Sequence, residues 1–289
     1  MNTPYVHGYR SEENERLQSQ AGILVDLLHG DTTYPDGSEV LEVGCGVGSQ
    51  TVTLGRRSPN ARFTCIDINP DSIAAARQRV AHAGLSNVRF VQADVLALPF
   101  DAGSFDHIFI CFVLEHLPRP VEVLVGLQRL LEAGGTVTVI EGDHGSTYFH
   151  PESAAARAVI ECQVTLQCRA GGNALIGRQL YPLMTSAGLA RVRVSPRLVY
   201  TDSSRPDFVE GFTRKTFTAM IEGIREPALT AGLISERDFD AGVQDLYRTA
   251  QADGVFCYTF FKGVGVKPVP NPDTFVTLTV GSPGPNLLP

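Results

Sequence analysis

Between residues 38 and 141, short apolar runs alternate with helical patterns, and this rhythm leaves few folds open. Strands are predicted over 38–43, 62–68, 88–92, 105–113 and 136–141, and helices over 47–55, 71–83 and 120–131. The fourth run, FDHIFICFV, is almost unbroken in its apolar character, as a central strand covered on both faces must be. Strands separated by single helices pair in parallel through right-handed crossovers. The expected fold is therefore a doubly wound α/β sheet.

The rhythm changes after Glu141. Residues 142–187 read as semi-regular helix, 191–200 (RVRVSPRLVY) as a strand interrupted by Pro196, and 205–252 as helices. The stretch 255–266 (VFCYTFFKGVGV) reads as a last strand. A connection as long as 142–253 is usually functional, and it is expected to cap a site. Before the sheet, residues 12–28 place Leu17, Ala21, Leu24, Val25 and Leu28 at helical spacing behind Ser11 as N-cap, so 1–37 is expected to be a helical segment. The Pro- and Gly-rich tail 267–289 is expected to carry little order beyond a short strand over 274–280.

Composition narrows the class. Of 289 residues, 43% are hydrophobic, enough for a large core. The 24 Lys+Arg against 31 Asp+Glu leave a net charge of −7, which argues against nucleic acid or an anionic membrane surface as partner. Six scattered cysteines contain no C-x-x-C pair, so no metal is expected and the thiols read as reduced. No basic region precedes an apolar run at the N-terminus, and the expected compartment is the cytoplasm. An apolar last strand and a long cap are compatible with a homodimer.

The chemistry starts at Glu42-Val43-Gly44-Cys45-Gly46-Val47-Gly48, where three alternate glycines stand between a predicted strand and a predicted helix. Glycines there permit a tight turn and close approach of the backbone to a ligand. A dinucleotide loop would read G-x-G-x-x-G; the spacing here is G-x-G-x-G. Asp67 ends the second strand and Asp94 follows the third, so carboxylates stand at successive carboxyl ends of parallel strands, where open α/β sheets bind ligands.

The E-x-G-C-G-x-G loop, Asp67 in CIDINP, Asp94 in QADVLALPF, FDHIFICFVLEHLP and LLEAGGTVTVIE together resemble the motifs of class I S-adenosylmethionine-dependent methyltransferases. The resemblance covers about residues 38–141, and its nearest flavour is the small-molecule type of ubiquinone and menaquinone biosynthesis. It implies a seven-stranded, mostly parallel Rossmann-like sheet with an antiparallel last strand and helical cap insertions. It also implies S-adenosyl-L-methionine as cofactor. The expected cofactor contacts are Glu42, Gly44, Cys45, Gly46, Gly48, Gln50, Asp67 at the ribose, Ile68, Asp94 at the adenine amine, Val95, Cys111 and His116, with Leu96 as a further wall of the adenine slot.

Methyl transfer from a sulfonium demands alignment first, and a base only where the acceptor must lose a proton. Glu141 and His144, just past the fifth strand, are the candidates for that role, with Tyr9 of the N-terminal segment. Asp143, Tyr148, Arg178, Arg214 and again Tyr9 are candidates for substrate contact. The expected substrate is a small, cyclic or aromatic metabolite methylated at C, N or O. No N-P-P-Y or D-P-P-Y follows the fourth strand, which weakens amino-methylation of nucleic acid. A non-methylating cyclase or binding module of the same fold would carry the same loop and remains the alternative.

Overall fold

The computed structural model describes Gly22 and residues 24–269. Tyr9, most of the expected N-terminal segment and the strand expected over 274–280 lie outside these residues. The described part of the first helix, α1, spans 24–29. It is followed by β1 (Glu39–Val43), α2 (Ser49–Arg57), β2 (Arg62–Asp67), α3 (Pro70–His82), β3 (Val88–Gln92) and β4 (Phe105–Cys111). After a 3-10 turn over Leu114–His116 come α4 (Pro120–Leu130), β5 (Leu131–His150) and α5 (Ala154–Arg169). A second turn, Ile176–Gln179, leads to α6 (Leu180–Ser186) and β6 (Ala190–Thr201). The remainder is α7 (Pro206–Phe208), a π-helical stretch Val209–Thr218, α8 (Ala219–Gly223), α9 (Arg225–Thr230), α10 (Glu236–Arg248) and β7 (Val255–Val266).

The strands form one seven-stranded sheet in the order β3-β2-β1-β4-β5-β7-β6. Neighbours from β3 to β5 pair in parallel, and β7 runs antiparallel to both β5 and β6. This is the expected doubly wound sheet with one reversed strand. Local chemistry sets its crossovers: Asn69 Oδ1 accepts from the backbone N–H of Asp71 and Ser72 ahead of Pro70, which starts α3 directly at the end of β2.

The period-2 alternation of the strands divides the interior into two cores. Val40, Phe109 and Ile140 face α1, α2, α3, α5 and α10, whereas Leu41, Ile108, Ile110 and Val139 face α4 and α6. β4 contributes to both, as its continuous apolar run requires.

The largest departure from expectation lies in β5. Residues 142–150, read from sequence as the start of a helical stretch, continue β5. Gly142 and Asp143 pair with Phe260 and Thr259; after a register shift, Tyr148, Phe149 and His150 pair with Cys257, Phe256 and Val255. The polar string GDHGST has no strand periodicity of its own, and the partner strand supplies the conformation. The cap therefore begins at α5. Among the described residues no helix is long and apolar enough to cross a membrane.

Candidate active site

At the carboxyl edge of β1 the glycine loop turns back on itself. Gly44 and Gly46 have φ of +69° and +51°, the left-handed region that side chains disfavour. The two are needed for different reasons. A Cβ on Gly44 would run into Val113 Cγ2, whereas a Cβ on Gly46 would stand in open space with nothing within 4 Å. Gly44 thus lets the loop close onto the chain leaving β4, and Gly46 leaves an open cradle above the sheet.

The surrounding groups complete a polar rim. The backbone N–H of Gly46 donates to Asp67 Oδ2 at 2.8 Å, and that of Asn69 to Asp67 Oδ1 at 2.9 Å. The loop after β1 and the end of β2 are therefore one unit. Burial pushes the Asp67 carboxyl up, against the pull of the backbone N–H groups around it. Beyond β3, Asp94 Oδ1 accepts from Leu96 N–H at 2.9 Å, an Asx-type turn. Ile68 and Leu96 are large apolar side chains left 44% and 64% exposed just past the ends of β2 and β3. Val95 is half-buried and packs against the core on the α4 and α6 face of the sheet.

Other expected contacts lie deeper. Glu42 is 2% exposed, and its Oε2 accepts from Thr51 Oγ1 at 2.7 Å and from Cys65 Sγ at 3.1 Å. It ties β1 to α2 and β2 under the loop, and burial pushes its carboxyl up to about 7. Cys45 and Cys111 are buried, and burial raises both thiols. Gln50 is half-buried on α2, with a buried Oε1 turned into the protein. His116 lies in the turn after β4, with Nε2 3.5 Å from Glu115 Oε1.

The acceptor-side candidates separate into two groups. Glu141 is fully buried, and its Oε1 accepts from the N–H of Val113 at 3.1 Å and of Leu114 at 2.8 Å. His144 is buried with Nδ1 3.1 Å from Tyr258 Oη, inside an aromatic cluster of Phe212, Phe217 and Phe256. Asp143 and Arg178, each expected to meet a charge on the substrate, meet each other: Nε donates to Oδ2 at 2.7 Å and Nη2 to Oδ1 at 2.8 Å. Arg214 reaches Glu210 at 3.8 Å and stands over the Tyr247 ring, inside the cap. Tyr148 is 65% exposed on the extension of β5. Most of the later aromatics, Phe149, Phe212, Phe217, Phe256, Tyr258 and Phe260, are packed core rather than pocket wall.

Two residues gain a place that sequence reasoning did not assign them. Glu115 faces Glu141 from the turn after β4, and Val113 links that turn to the glycine loop. Phe112, with φ of +58°, makes the link possible: β4 stops at Cys111, two residues short of the expected end, because this left-handed residue redirects the chain. The string LEH directly after the central strand was the available signal. A separate depression of about 450 Å³, lined by Pro35, Gly37, His107 and Gly134 among others, opens at the amino-terminal edge of the strands, away from all of these groups.

Residues 40–135 match the family model described as a methyltransferase domain. An uncharacterized 37.1 kDa protein of transposon TN4556 from Streptomyces fradiae is 33% identical over 220 residues, covering 75% of this chain and 61% of its own. Demethylmenaquinone methyltransferase of Lactococcus lactis is 32% identical over 116 residues, covering 40% of this chain and 45% of its own. The chain thus spans less than two thirds of the length of either curated relative. Among solved structures, the [4+2]-cyclase SpnF superposes with a TM-score of 0.56 at 22% identity, covering 86% of this chain and 81% of its own. Phosphoethanolamine N-methyltransferase 2 of Haemonchus contortus, in complex with S-adenosyl-L-methionine, gives 0.53 at 18% identity, covering 86% of this chain and 52% of its own.

Proposed function

We propose that the chain is a class I S-adenosylmethionine-dependent methyltransferase, a reading its matched domain and its fold support, and that it transfers a methyl group from S-adenosyl-L-methionine to a C, N or O atom of a small, cyclic or aromatic metabolite. The observation that carries this reading is the open cradle at Gly46, closed behind by Gly44 on Val113 and rimmed by Asp67 and Asp94. The donor set suits the cofactor. Backbone groups of the loop would hold the amino acid portion, Asp67 the ribose hydroxyls, and Asp94 an exocyclic amine between Ile68 and Leu96. When bound, the cofactor supplies a methyl group on a positively charged sulfur.

The chain itself contributes alignment. The loop, the end of β2 and the turn after β4 are joined by the Gly46–Asp67 hydrogen bond and the Gly44–Val113 contact, so a ligand held by one is oriented by the others. The helices α5, α8, α9 and α10 and the π-helical stretch cover one face of the sheet over β5 and β7. The substrate class is supported by the demethylmenaquinone methyltransferase relative and by a net charge of −7, which disfavours polyanions. We place the enzyme in the cytoplasm, and the net charge supports a small molecule rather than nucleic acid or an anionic membrane surface as its partner.

Asp67→Ala, with the fold retained by circular dichroism, is expected to weaken S-adenosylmethionine binding at least about tenfold in calorimetry, the loss expected for a charge-assisted hydrogen-bonding pair. Unchanged affinity would remove the ribose assignment. The likeness to the SpnF cyclase keeps a non-methylating reading in view. Incubation with cyclic metabolites and methyl-labelled cofactor separates the two: label transfer with S-adenosylhomocysteine formation supports methylation, and tight binding without turnover supports the alternative.

A further inference from the structure

The Glu141 carboxyl has more to do than hold a turn. Its Oε1 satisfies the N–H groups of Val113 and Leu114, but its Oε2 is buried with no hydrogen-bond partner among the described residues. The backbone N–H groups of Val113, Leu114 and Glu115 favour the charged form, but complete burial with one oxygen unpaired outweighs them, and a neutral acid is the form such a site tolerates. Of the titratable groups around it, the Glu115 carboxylate from the turn after β4 deepens this preference, while the buried Cys111 thiol of β4 and the Tyr258 phenol of β7, both pushed up and neutral, add no opposing charge.

The nearby cations are engaged elsewhere. Lys262 Nζ donates to Asp31 and Thr32 at 2.6 Å each, Arg178 is held by Asp143, and His116 stands beside Glu115. Burial and the Glu115 charge together hold the Glu141 carboxyl well above the usual carboxylate range. Position gives this a purpose. The Val113 N–H bonds the carboxyl while the Val113 side chain abuts Gly44, so a single residue separates Glu141 from the glycine loop.

We propose that Glu141, flanked by Glu115, is a charge-reading site: it is a neutral acid in the ligand-free protein and releases its proton to solvent when a cationic centre, the sulfonium of S-adenosylmethionine, is brought to the glycine loop. The inference rests on the cofactor reading above. The Oε2–H bond would break and the proton would pass to buffer, leaving a carboxylate behind Val113, one residue from the loop that would hold the cofactor. S-Adenosylhomocysteine has a neutral thioether, and the acid stays protonated beside it. The site would thus distinguish reactant from spent cofactor by charge, using a residue that touches neither ribose nor adenine.

Calorimetry in buffers of different ionisation enthalpy tests this with those two molecules. Near neutral pH, S-adenosylmethionine is expected to release approaching about one proton per molecule bound, and S-adenosylhomocysteine close to none. Glu141→Gln keeps an oxygen for Val113 and Leu114; it should abolish the release and the preference between the two ligands while S-adenosylhomocysteine still binds. Equal proton counts for the two ligands in the unaltered protein, or continued release from Glu141→Gln, would overturn the proposal. If that variant does not fold, Glu115→Gln serves instead: removing the like charge should cut the release, and an unaltered release would count against the proposal. Failure of both ligands to bind the unaltered protein overturns the cofactor reading itself, a distinct result.

Discussion

At the scale of single residues, Gly44 carries the sharpest prediction. Gly44→Ala combines a left-handed backbone with a collision at Val113, so a loss of about 1–3 kcal/mol in urea denaturation is expected together with loss of cofactor binding. Glu42 supplies a pH dependence. Its folded carboxyl sits at about 7, above its ordinary value, so its contribution to stability is present at low pH and is lost as pH rises through that value. Relative to Glu42→Gln, the unaltered protein should lose up to roughly 3 kcal/mol between pH 4.5 and 8, read as converging or crossing denaturation midpoints. The cysteines answer to burial: iodoacetamide should label exposed Cys168 well before Cys45, Cys65 or Cys111, with or without ligand, because the latter thiols are buried and raised. The places of Asp67 and Asp94 at the carboxyl ends of β2 and β3 were legible in the sequence because each ends or follows a strand with a clear apolar pattern. The pairing of Asp143 with Arg178 was not, since 35 residues separate them and only the folded chain brings the second turn against β5.

At the scale of elements, sequence periodicity located β2, β3, β6 and β7 to within a residue or two, because each has an apolar pattern or clear punctuation of its own. It failed at the end of β5, where pairing with β7 overrides a polar string, and at the end of β4, where one left-handed residue stops a run that would otherwise read on. Two ties between elements can be tested. Lys262 of β7 is nearly buried and reaches back to Asp31 and Thr32 just after α1. Asp31→Asn would leave that ammonium with a weaker partner, at an expected cost of about 1–3 kcal/mol in chemical denaturation, reduced from the fully buried case because Asp31 is itself half exposed. His29 at the end of α1 packs its ring on Phe109, and burial holds it down at about 4. Its neutral form stabilises the fold above the ordinary histidine range, and that contribution is lost as pH falls through 4. His29→Leu should flatten this acid limb in a thermal melt followed from pH 7 to 4.

At the scale of the molecule, two cores on opposite faces of one sheet meet through β4 and β5, so ligand bound at the carboxyl edge of β1 and β2 is expected to stabilise the whole described fold. At a hundredfold excess over its Kd, S-adenosylmethionine should add about 2.7 kcal/mol, read as a raised melting temperature that NAD does not reproduce. The strand order has another consequence, for the route by which the chain assembles. β7 is the last strand among the described residues, yet it lies between β5 and β6. Until residue 266 has left the ribosome, both of its neighbours present unpaired backbone edges, and β6 has no strand to hold it to the sheet at all. Synthesis must therefore hold a gap open and fill it last, and a nascent chain arrested before residue 255 should be a chaperone client that aggregates on release, however sound its cofactor loop.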